Sequence, residues 1–430
     1  MHLVNFDFTL DEVTKVEGSA GLEVKVKDGK VEYAKFKIQD YKRFYTQAMR
    51  GKPVAAIPQL LSRICGTCSI AHLIASIEAV EKTLGFEPSE QTKILRTLTY
   101  HGLIIRDHAL HLYIFVLPDL FDKDSLLEFD DNDKVQHQLL HDAFAVKAAG
   151  NHLAILVAGR SVHAPYPVAG GFLHTPEQSK IPDVIKELEE IRPAVLRLIE
   201  VYAESPFVLE RGTNYLALKA NPFSYLEGQL YDNEGLVAEE SGFRDHLEHV
   251  VKPYSQASAY TFEGKPYRVG ALARLNLNKE ALHPRTREDA GFALKLFPSD
   301  NIYHNNLAQA IEILHSVDES IDILKSFKFK DEKPQKLEMK AASGVGVVEA
   351  PRGTLYHKLV VDEKGIVEEG EVIVPTGQNQ IAIELDIARY IQENLDKPKE
   401  ELRRGCEQII RAYDPCMSCA SHFLKVKWIK

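Results

Sequence analysis

Two Cys-x-x-Cys pairs stand near opposite ends of this 430-residue chain, Cys65 with Cys68 and Cys416 with Cys419. Four thiolates are a ligand set for a soft metal such as zinc or iron. A small zinc-binding unit needs only about 15–20 residues between its two pairs, whereas nearly the whole chain lies between these. The fold must therefore bring the two ends together, and a structural zinc would have to clamp the entire chain.

Composition narrows the class of protein. With 45% hydrophobic and 27% charged residues the chain is typical of globular proteins, and 430 residues are too many for one simple core. The net charge of −10 argues against a nucleic-acid-binding surface. No basic region followed by an apolar run comes after Met1, so we expect no targeting signal.

The longest apolar stretch, from Leu103 to Phe121, is interrupted by charged residues and histidines. This pattern predicts a buried helix rather than a membrane span. Five cysteines, four of them in metal-type spacing, fit a reducing compartment such as the cytoplasm better than a disulfide framework. The fifth, Cys406, follows a helical pattern and is expected to be a small buried apolar residue.

Periodicity predicts an α+β fold with a central buried helical bundle, an N-terminal β-hairpin and further small β regions. Alternating residues on both sides of Asp28-Gly29 predict the hairpin, and apolar spacings of three and four predict the helices. One long helix, from about 381 to 413, is expected to deliver the second cysteine pair. We divide the chain into six segments: an N-terminal β region (1–40), a helical core with the first pair (41–206), a mixed β and loop region (207–280), a helical segment (281–335), a β region (336–380), and a C-terminal helix with the second pair and a tail (381–430).

The residues around the two pairs are more specific than their spacing. The first reads RICGTCSIAH from Arg63, and the second reads DPCMSCASH from Asp414. Other segments follow in a fixed order along the chain: Glu17-Gly18, Arg106-Asp107-His108, Gly159 to His163, Glu349 to Gly353, and Pro375-Thr376. In motif and order the chain resembles the large subunits of nickel-iron hydrogenases, and their fold is expected.

That resemblance implies a metal centre of nickel and iron, with carbon monoxide and cyanide on the iron. Cys65 and Cys416 would be terminal ligands of nickel, and Cys68 and Cys419 would bridge to the iron. Heterolytic cleavage of H2 needs a metal to accept a hydride and a base to accept the proton. The candidate bases are the Cys416 thiolate and Arg352, and we favour the thiolate because a neutral arginine needs a large pKa shift.

The resemblance places Glu17 at the family's proton gate, where burial could raise a carboxyl pKa towards neutrality. Without the resemblance, Glu17 would be interpreted as a surface residue at a strand end. Asp107 and Asp414 match carboxylates that pair with the guanidinium of Arg352, since a buried arginine without such partners is costly.

Three further residues match supporting positions of the family. Thr376, together with Arg352, would donate hydrogen bonds to the cyanides, and Pro351 would form a wall of the site. His72 would donate a hydrogen bond to a bridging sulfur, as residues around a metal's direct ligands commonly do.

The chain departs from the family at two places. Thr46 stands where relatives carry a glutamate that helps to bind a magnesium-like ion, so this hard-cation site loses a charged ligand. His422 is a possible ligand of that third metal, whose presence is left open. Relatives are cut after the residue equivalent to His422, whereas this chain continues to Lys430, and the tail is either retained or removed.

Together these features predict the catalytic subunit of a nickel-iron hydrogenase of the soluble, cofactor-coupled (group 3-like) branch. After four cysteines are assigned to the metals, only Cys406 remains, so an iron–sulfur small subunit must carry the electrons. A diaphorase or other acceptor subunit would pass them to NAD(P), ferredoxin or another soluble carrier, and maturation factors would insert the metals. The alternatives are a hydrogen-sensing subunit or a non-catalytic relative like that of complex I.

One glycine pair is a weak signal. Gly344 and Gly346 lack the third glycine and the strand-to-helix context of a dinucleotide-binding loop, so no cofactor is assigned to them.

Overall fold

In the computed structural model, residues 4–41 and 44–421 are described. The N-terminal hairpin belongs to a three-stranded antiparallel sheet of β1 (Phe6–Leu10), β2 (Ala20–Lys27) and β3 (Lys30–Ile38). The turn between β2 and β3 is at Asp28-Gly29, as predicted, with φ of 51° and 71°. The first strand, β1, was not predicted.

Helices follow and form the centre of the molecule. They are α1 (Tyr45–Met49), α2 (Ile57–Leu61), α3 (Ser69–Leu84), α4 (Glu90–Ala109), α5 (Leu117–Leu120), α6 (Lys134–Ala158) and α7 (Ile181–Ala203). A π-helical stretch, Leu110–Val116, joins α4 to α5. The apolar stretch that predicted one helix is therefore helical throughout but changes its winding, and most of its residues are buried.

Short strands and helices make up the next part of the chain. The strands are β4 (Pro167–Val168), β5 (Gly171–Phe172), β6 (Asn214–Lys219), β7 (Gln229–Asp232), β8 (Val237–Ala238), β9 (Leu247–Val251), β10 (Ser258–Phe262) and β11 (Tyr267–Arg268). The helices are α8 (Ala271–Asn278), α9 (Pro284–Asp289), α10 (Gly291–Leu294) and α11 (His304–Ser326).

A second antiparallel sheet precedes the C-terminal helices, with β12 (Ala342–Ala350), β13 (Gly353–Val361) and β14 (Val367–Ile373) in that order. The helices are α12 (Pro375–Glu393), α13 (Lys399–Ala412) and α14 (Met417–Ala420). The single long helix predicted from 381 to 413 is therefore wrong. Pro398 lies directly before α13, and proline lacks the N–H and restricts the residue before it, which separates the two helices.

One continuous cluster of buried side chains runs from Phe8 to Ala420, so both ends of the described chain share a core. Cys406 is fully buried in α13, as predicted. Within the described residues, no helix is long and apolar enough to cross a membrane. As structural units, the six sequence segments remain a prediction.

Candidate metal centre

The four cysteines of the two pairs lie together. Cys68 directly precedes α3 and Cys416 directly precedes α14, and all four thiols are free and buried. The Cys68 and Cys419 sulfurs are 3.0 Å apart, those of Cys416 and Cys419 are 3.0 Å apart, and those of Cys65 and Cys416 are 3.4 Å apart. The predicted four-sulfur cluster is therefore formed, with all its sulfurs within 4.8 Å of one another.

The charge of this cluster fits a metal cation. Hydrogen bonds from Cys416, Cys419 and Cys68 lower the pKa of Cys65 well below its ordinary value. Burial, and then the neighbouring Cys419 and Cys65, raise the pKa of Cys416 well above its ordinary value. The neighbouring thiols thus stabilise one thiolate, that of Cys65. Each additional thiolate would be buried and would be repelled by the first. A bound cation would remove this cost, and soft sulfur donors suit nickel and iron.

Glu17 lies against the second cysteine pair. One carboxylate oxygen is 3.0 Å from the Cys416 sulfur and accepts the backbone N–H of Ser418 at 3.1 Å, and the other accepts the Ser418 hydroxyl at 2.5 Å. Burial and the neighbouring Cys65 raise the pKa of Glu17, although its hydrogen bonds oppose the shift. Glu17 is therefore not a surface residue at a strand end.

Gly18 allows this contact. It has a φ of +82°, and a Cβ atom there would lie 2.8 Å from Cβ of Met417. The backbone of Glu17 can then pair with the turn of the second motif, where the Met417 N–H donates to the Glu17 carbonyl at 3.0 Å. The close approach of this segment to the second cysteine motif therefore requires a glycine at position 18.

Arg352 is buried between two carboxylates. Its Nη1 lies 2.8 Å from Asp107 and its Nη2 lies 2.9 Å from Asp414. Burial would lower the pKa of Arg352, but the charges of Asp107 and Asp414 outweigh it and raise the pKa well above its ordinary value. The guanidinium therefore stays charged. Its buried Nε has no hydrogen-bond partner among the described residues.

A small cavity opens beside the sulfurs. Its walls include Cys68, Cys416 and Cys419 together with Pro351, Arg352 and Thr376. The Thr376 hydroxyl accepts the backbone N–H of Cys416 at 2.9 Å, so its own proton is available to a ligand in the cavity. An iron between Cys68 and Cys419, with small polar diatomic ligands, fits this lining.

His72 lies behind the cluster on α3. Its Nε2 is 3.5 Å from the Cys419 sulfur, within hydrogen-bond range for sulfur. Burial lowers the pKa of His72 to about 4, against the opposing charge of Cys65. The ring is therefore neutral at physiological pH.

Thr46 and His422 are the residues that the sequence analysis connects with a third metal. Thr46 lies in α1, and its buried hydroxyl has no hydrogen-bond partner among the described residues. His422 lies outside the described residues, as does the tail after it. The third metal site therefore stays a prediction.

Comparison with known proteins identifies the family. A model of the family described as nickel-dependent hydrogenase matches residues 44–154 and 227–422, which include all four clustered cysteines. The chain belongs to this family. The recognition of a nickel-iron hydrogenase large subunit from its motifs is confirmed, and with it the prediction of an oxidoreductase.

Relatives match this hydrogenase over nearly its whole length. The alpha subunit of sulfhydrogenase 1 from Pyrococcus furiosus is 32% identical over 97% of this chain and 98% of its own. One subunit of the F420-non-reducing hydrogenase from Methanothermobacter thermautotrophicus is 29% identical over 96% of this chain and 94% of its own.

Solved structures confirm the predicted fold class. A crystal structure of an NAD+-reducing [NiFe]-hydrogenase in the H2-reduced state has a TM-score of 0.86 at 24% identity, covering 98% of this chain and 100% of that chain. The [NiFeSe]-hydrogenase of Dm. baculatum has a TM-score of 0.77 at 23% identity, covering 97% and 100%.

Sequence reasoning missed several contacts of the hydrogenase site. The Gln309 amide donates to Asp414 at 3.0 Å, and the Arg106 guanidinium donates to the Thr67 carbonyl. Ser418, which donates to Glu17, lies between the two cysteines of the second pair, and this position in the sequence could have identified it as a site residue. Gln309 lies on α11 without any local motif, and only the fold reveals its role.

A second group of possible metal ligands lies away from the cysteines. Nε2 of His315 and Nε2 of His101 lie 3.1 and 3.5 Å from the Glu319 carboxylate. Nδ1 of His315 accepts the backbone N–H of His283 at 3.1 Å, which places the proton of a neutral ring on Nε2, facing the carboxylate. Since a metal would need that lone pair, we interpret this group as a cluster of polar side chains rather than a metal site.

Proposed function

We propose that this hydrogenase subunit catalyses the reversible cleavage of dihydrogen into two protons and two electrons. The observation that carries the proposal is the cluster of four buried cysteine sulfurs. Glu17 contacts one of these sulfurs, and Arg352, paired with two buried carboxylates, lies nearby.

Cys65 and Cys416 would hold nickel as terminal ligands, and Cys68 and Cys419 would bridge nickel to the iron. The bound metals supply redox chemistry by taking up the electron pair of dihydrogen. The 3.0 Å contact between the Cys68 and Cys419 sulfurs, both in the cavity wall, supports their bridging role. Arg352, through Nε, and Thr376, through its hydroxyl, would donate to the cyanide nitrogens, with Pro351 as an apolar wall.

The proton would pass from the Cys416 sulfur to Glu17. This carboxylate is 3.0 Å from that sulfur, a distance suited to direct transfer. The Ser418 hydroxyl lies between Glu17 and Asp40, 2.5 and 3.3 Å from their oxygens, and continues the path outward. Arg352 would stay charged between Asp107 and Asp414 and position the site rather than act as its base.

The electrons would leave through a separate iron–sulfur small subunit, because the remaining cysteine, Cys406, is a single buried residue. We place the chain in the soluble, cofactor-coupled (group 3-like) branch, with a diaphorase or other acceptor subunit that reduces NAD(P), ferredoxin or another soluble carrier in the cytoplasm. Maturation factors would insert the metals. The likeness to single subunits of a sulfhydrogenase and of an F420-non-reducing hydrogenase supports this assembly.

An infrared spectrum of the native complex tests the proposal, together with H2-dependent reduction of a dye. We expect carbonyl and cyanide stretching bands and turnover with H2. Cys419→Ser should lose nickel, the bands and turnover, whereas Cys406→Ala, which removes the remaining thiol, should keep all three. A fully folded native complex without such bands would overturn the proposal, and bands without appreciable turnover would favour a hydrogen sensor.

A further inference from the structure

Two buried histidines and a serine lie in line behind the Cys419 sulfur. Nε2 of His72 is 3.5 Å from this sulfur, and Nδ1 of His72 is 3.1 Å from Nε2 of His357. Nδ1 of His357 is in turn 2.8 Å from the Ser76 hydroxyl. All four residues are at most 4% exposed. The line joins α3, which carries His72 and Ser76 one turn apart, to the strand β13.

The sulfur at one end decides where every proton in the line lies. A cysteine thiolate only accepts hydrogen bonds, so Nε2 of His72 must carry the proton. When Nε2 of a neutral His72 donates, its Nδ1 is an acceptor, so Nε2 of His357, 3.1 Å away, must donate to it. In a neutral His357, Nδ1 is likewise an acceptor, and the Ser76 hydroxyl donates to it.

Close packing of α3 on the second sheet makes this line possible. Gly346 of β12 pairs with His357 of β13 in the strand register. A Cβ atom on Gly346 would lie 2.3 Å from the Ala75 carbonyl oxygen and 2.7 Å from the Ala79 nitrogen. Without a side chain at Gly346 the helix can sit directly on the strand, and His357 reaches Ser76. The glycine pair therefore serves packing rather than a dinucleotide.

We propose that Ser76 and His357 are positioning residues that hold His72 in the tautomer that donates to Cys419. The inference rests on the proposed function, since it concerns the sulfur that would bridge nickel and iron. A hydrogen bond to a bridging thiolate withdraws electron density from the metals, and such outer partners fix the ring orientation of the residues they contact. Losing the line would leave more electron density on the iron.

Ser76→Ala and His357→Leu each remove one donor from the line, whereas His357→Gln keeps an N–H for His72 and an oxygen for Ser76. Thr83→Val is the matched control, because the Thr83 hydroxyl lies on the same helix and donates within that helix, to the Ala79 carbonyl at 2.6 Å. Infrared spectra and nickel content are measured on the purified native complex of each variant.

We expect Ser76→Ala and His357→Leu to shift the carbonyl band to lower wavenumber and to weaken nickel retention or activity about 10-fold to 100-fold. His357→Gln and Thr83→Val should stay close to the parent protein. If a variant does not load, loss in Ser76→Ala but not in Thr83→Val still supports the inference, and equal loss in both overturns it.

The inference would also be overturned if the carbonyl bands of nickel-loaded Ser76→Ala and His357→Leu stay at the wavenumber of the parent protein. Failure of the proposed function looks different, because the parent complex would then lack the carbonyl and cyanide bands altogether.

Discussion

The carboxylate of Glu17 lies 3.0 Å from the sulfur of Cys416, a residue 399 positions later in the chain. A short parallel bridge joins the two backbones, so the proposed proton carrier and the proposed metal ligand are held close to one another. A proton released at the sulfur has an acceptor at hydrogen-bond distance without any movement of the chain.

Glu17→Gln should keep the shape of this contact and lose the proton carrier. We expect H2-dependent dye reduction to fall by about 100-fold or more, the usual contribution of a positioned acid or base, while nickel content and infrared bands are retained. Glu12→Gln, at an exposed position of the same segment, is the control and should be unaffected. Parent-like turnover in nickel-loaded Glu17→Gln would exclude this route.

Arg352→Met should destabilise the protein strongly. It would leave Asp107 and Asp414 buried without their partner, and breaking a buried ion pair costs about 3–5 kcal/mol. The midpoint of urea unfolding measures this change. Arg352→Lys keeps the charge but loses the forked geometry, so it should lose less stability than Arg352→Met and still lose activity. Equal stability of the two variants would contradict the role of the charge.

The sequence was sufficient to predict the four-cysteine cluster and much of the fold. The cysteine pairs and the hairpin at Asp28-Gly29 have strong local patterns, and the structure has both. The break between α12 and α13 was missed although Pro398 signals it, because apolar periodicity continues on both sides. Here a local backbone restriction overrode the periodic pattern.

Contacts between distant segments were beyond sequence reasoning. His357 follows the Glu349-to-Gly353 segment and Ser76 follows His72 by one helical turn, yet nothing local says that they meet. Their contact depends on how closely α3 approaches β12. This close approach is possible because Gly346 has no side chain. Packing distances of this kind arise only when the whole core is assembled.

Because His101 is buried, we expect the free energy of unfolding to decrease in mild acid. Burial lowers its pKa to about 4, with His315 and His283 adding to the shift and Glu319 opposing it. Between pH 4 and its ordinary pKa of 6.5, the unfolded state binds the proton and the folded state does not, so stability falls as pH falls through this window. The loss is about 3 kcal/mol for one such group.

His101→Gln keeps a polar side chain and should flatten the pH dependence of the urea midpoint between pH 6.5 and 4. Glu319 acts in a lower window, because hydrogen bonding to His315 overcomes burial and lowers its pKa to about 2, so its contribution is lost only below about pH 4.5. His137→Gln, at an exposed position of α6, is the control substitution. An unchanged slope in His101→Gln would refute the assignment.

Gly346→Ala tests the packing on which the His72–His357 contact depends. Its added methyl group would meet backbone atoms of Ala75 and Ala79, at 2.3 and 2.7 Å, and backbone cannot rotate away as a side chain can. We expect the free energy of unfolding to fall by about 1–3 kcal/mol or more, measured by urea unfolding. Gly242→Ala, where no atom lies within 4 Å of the new Cβ, should change it by less than about 0.5 kcal/mol. If both substitutions cost the same, close approach of α3 to β12 does not limit stability, and the alignment of His357 with Ser76 must have another cause.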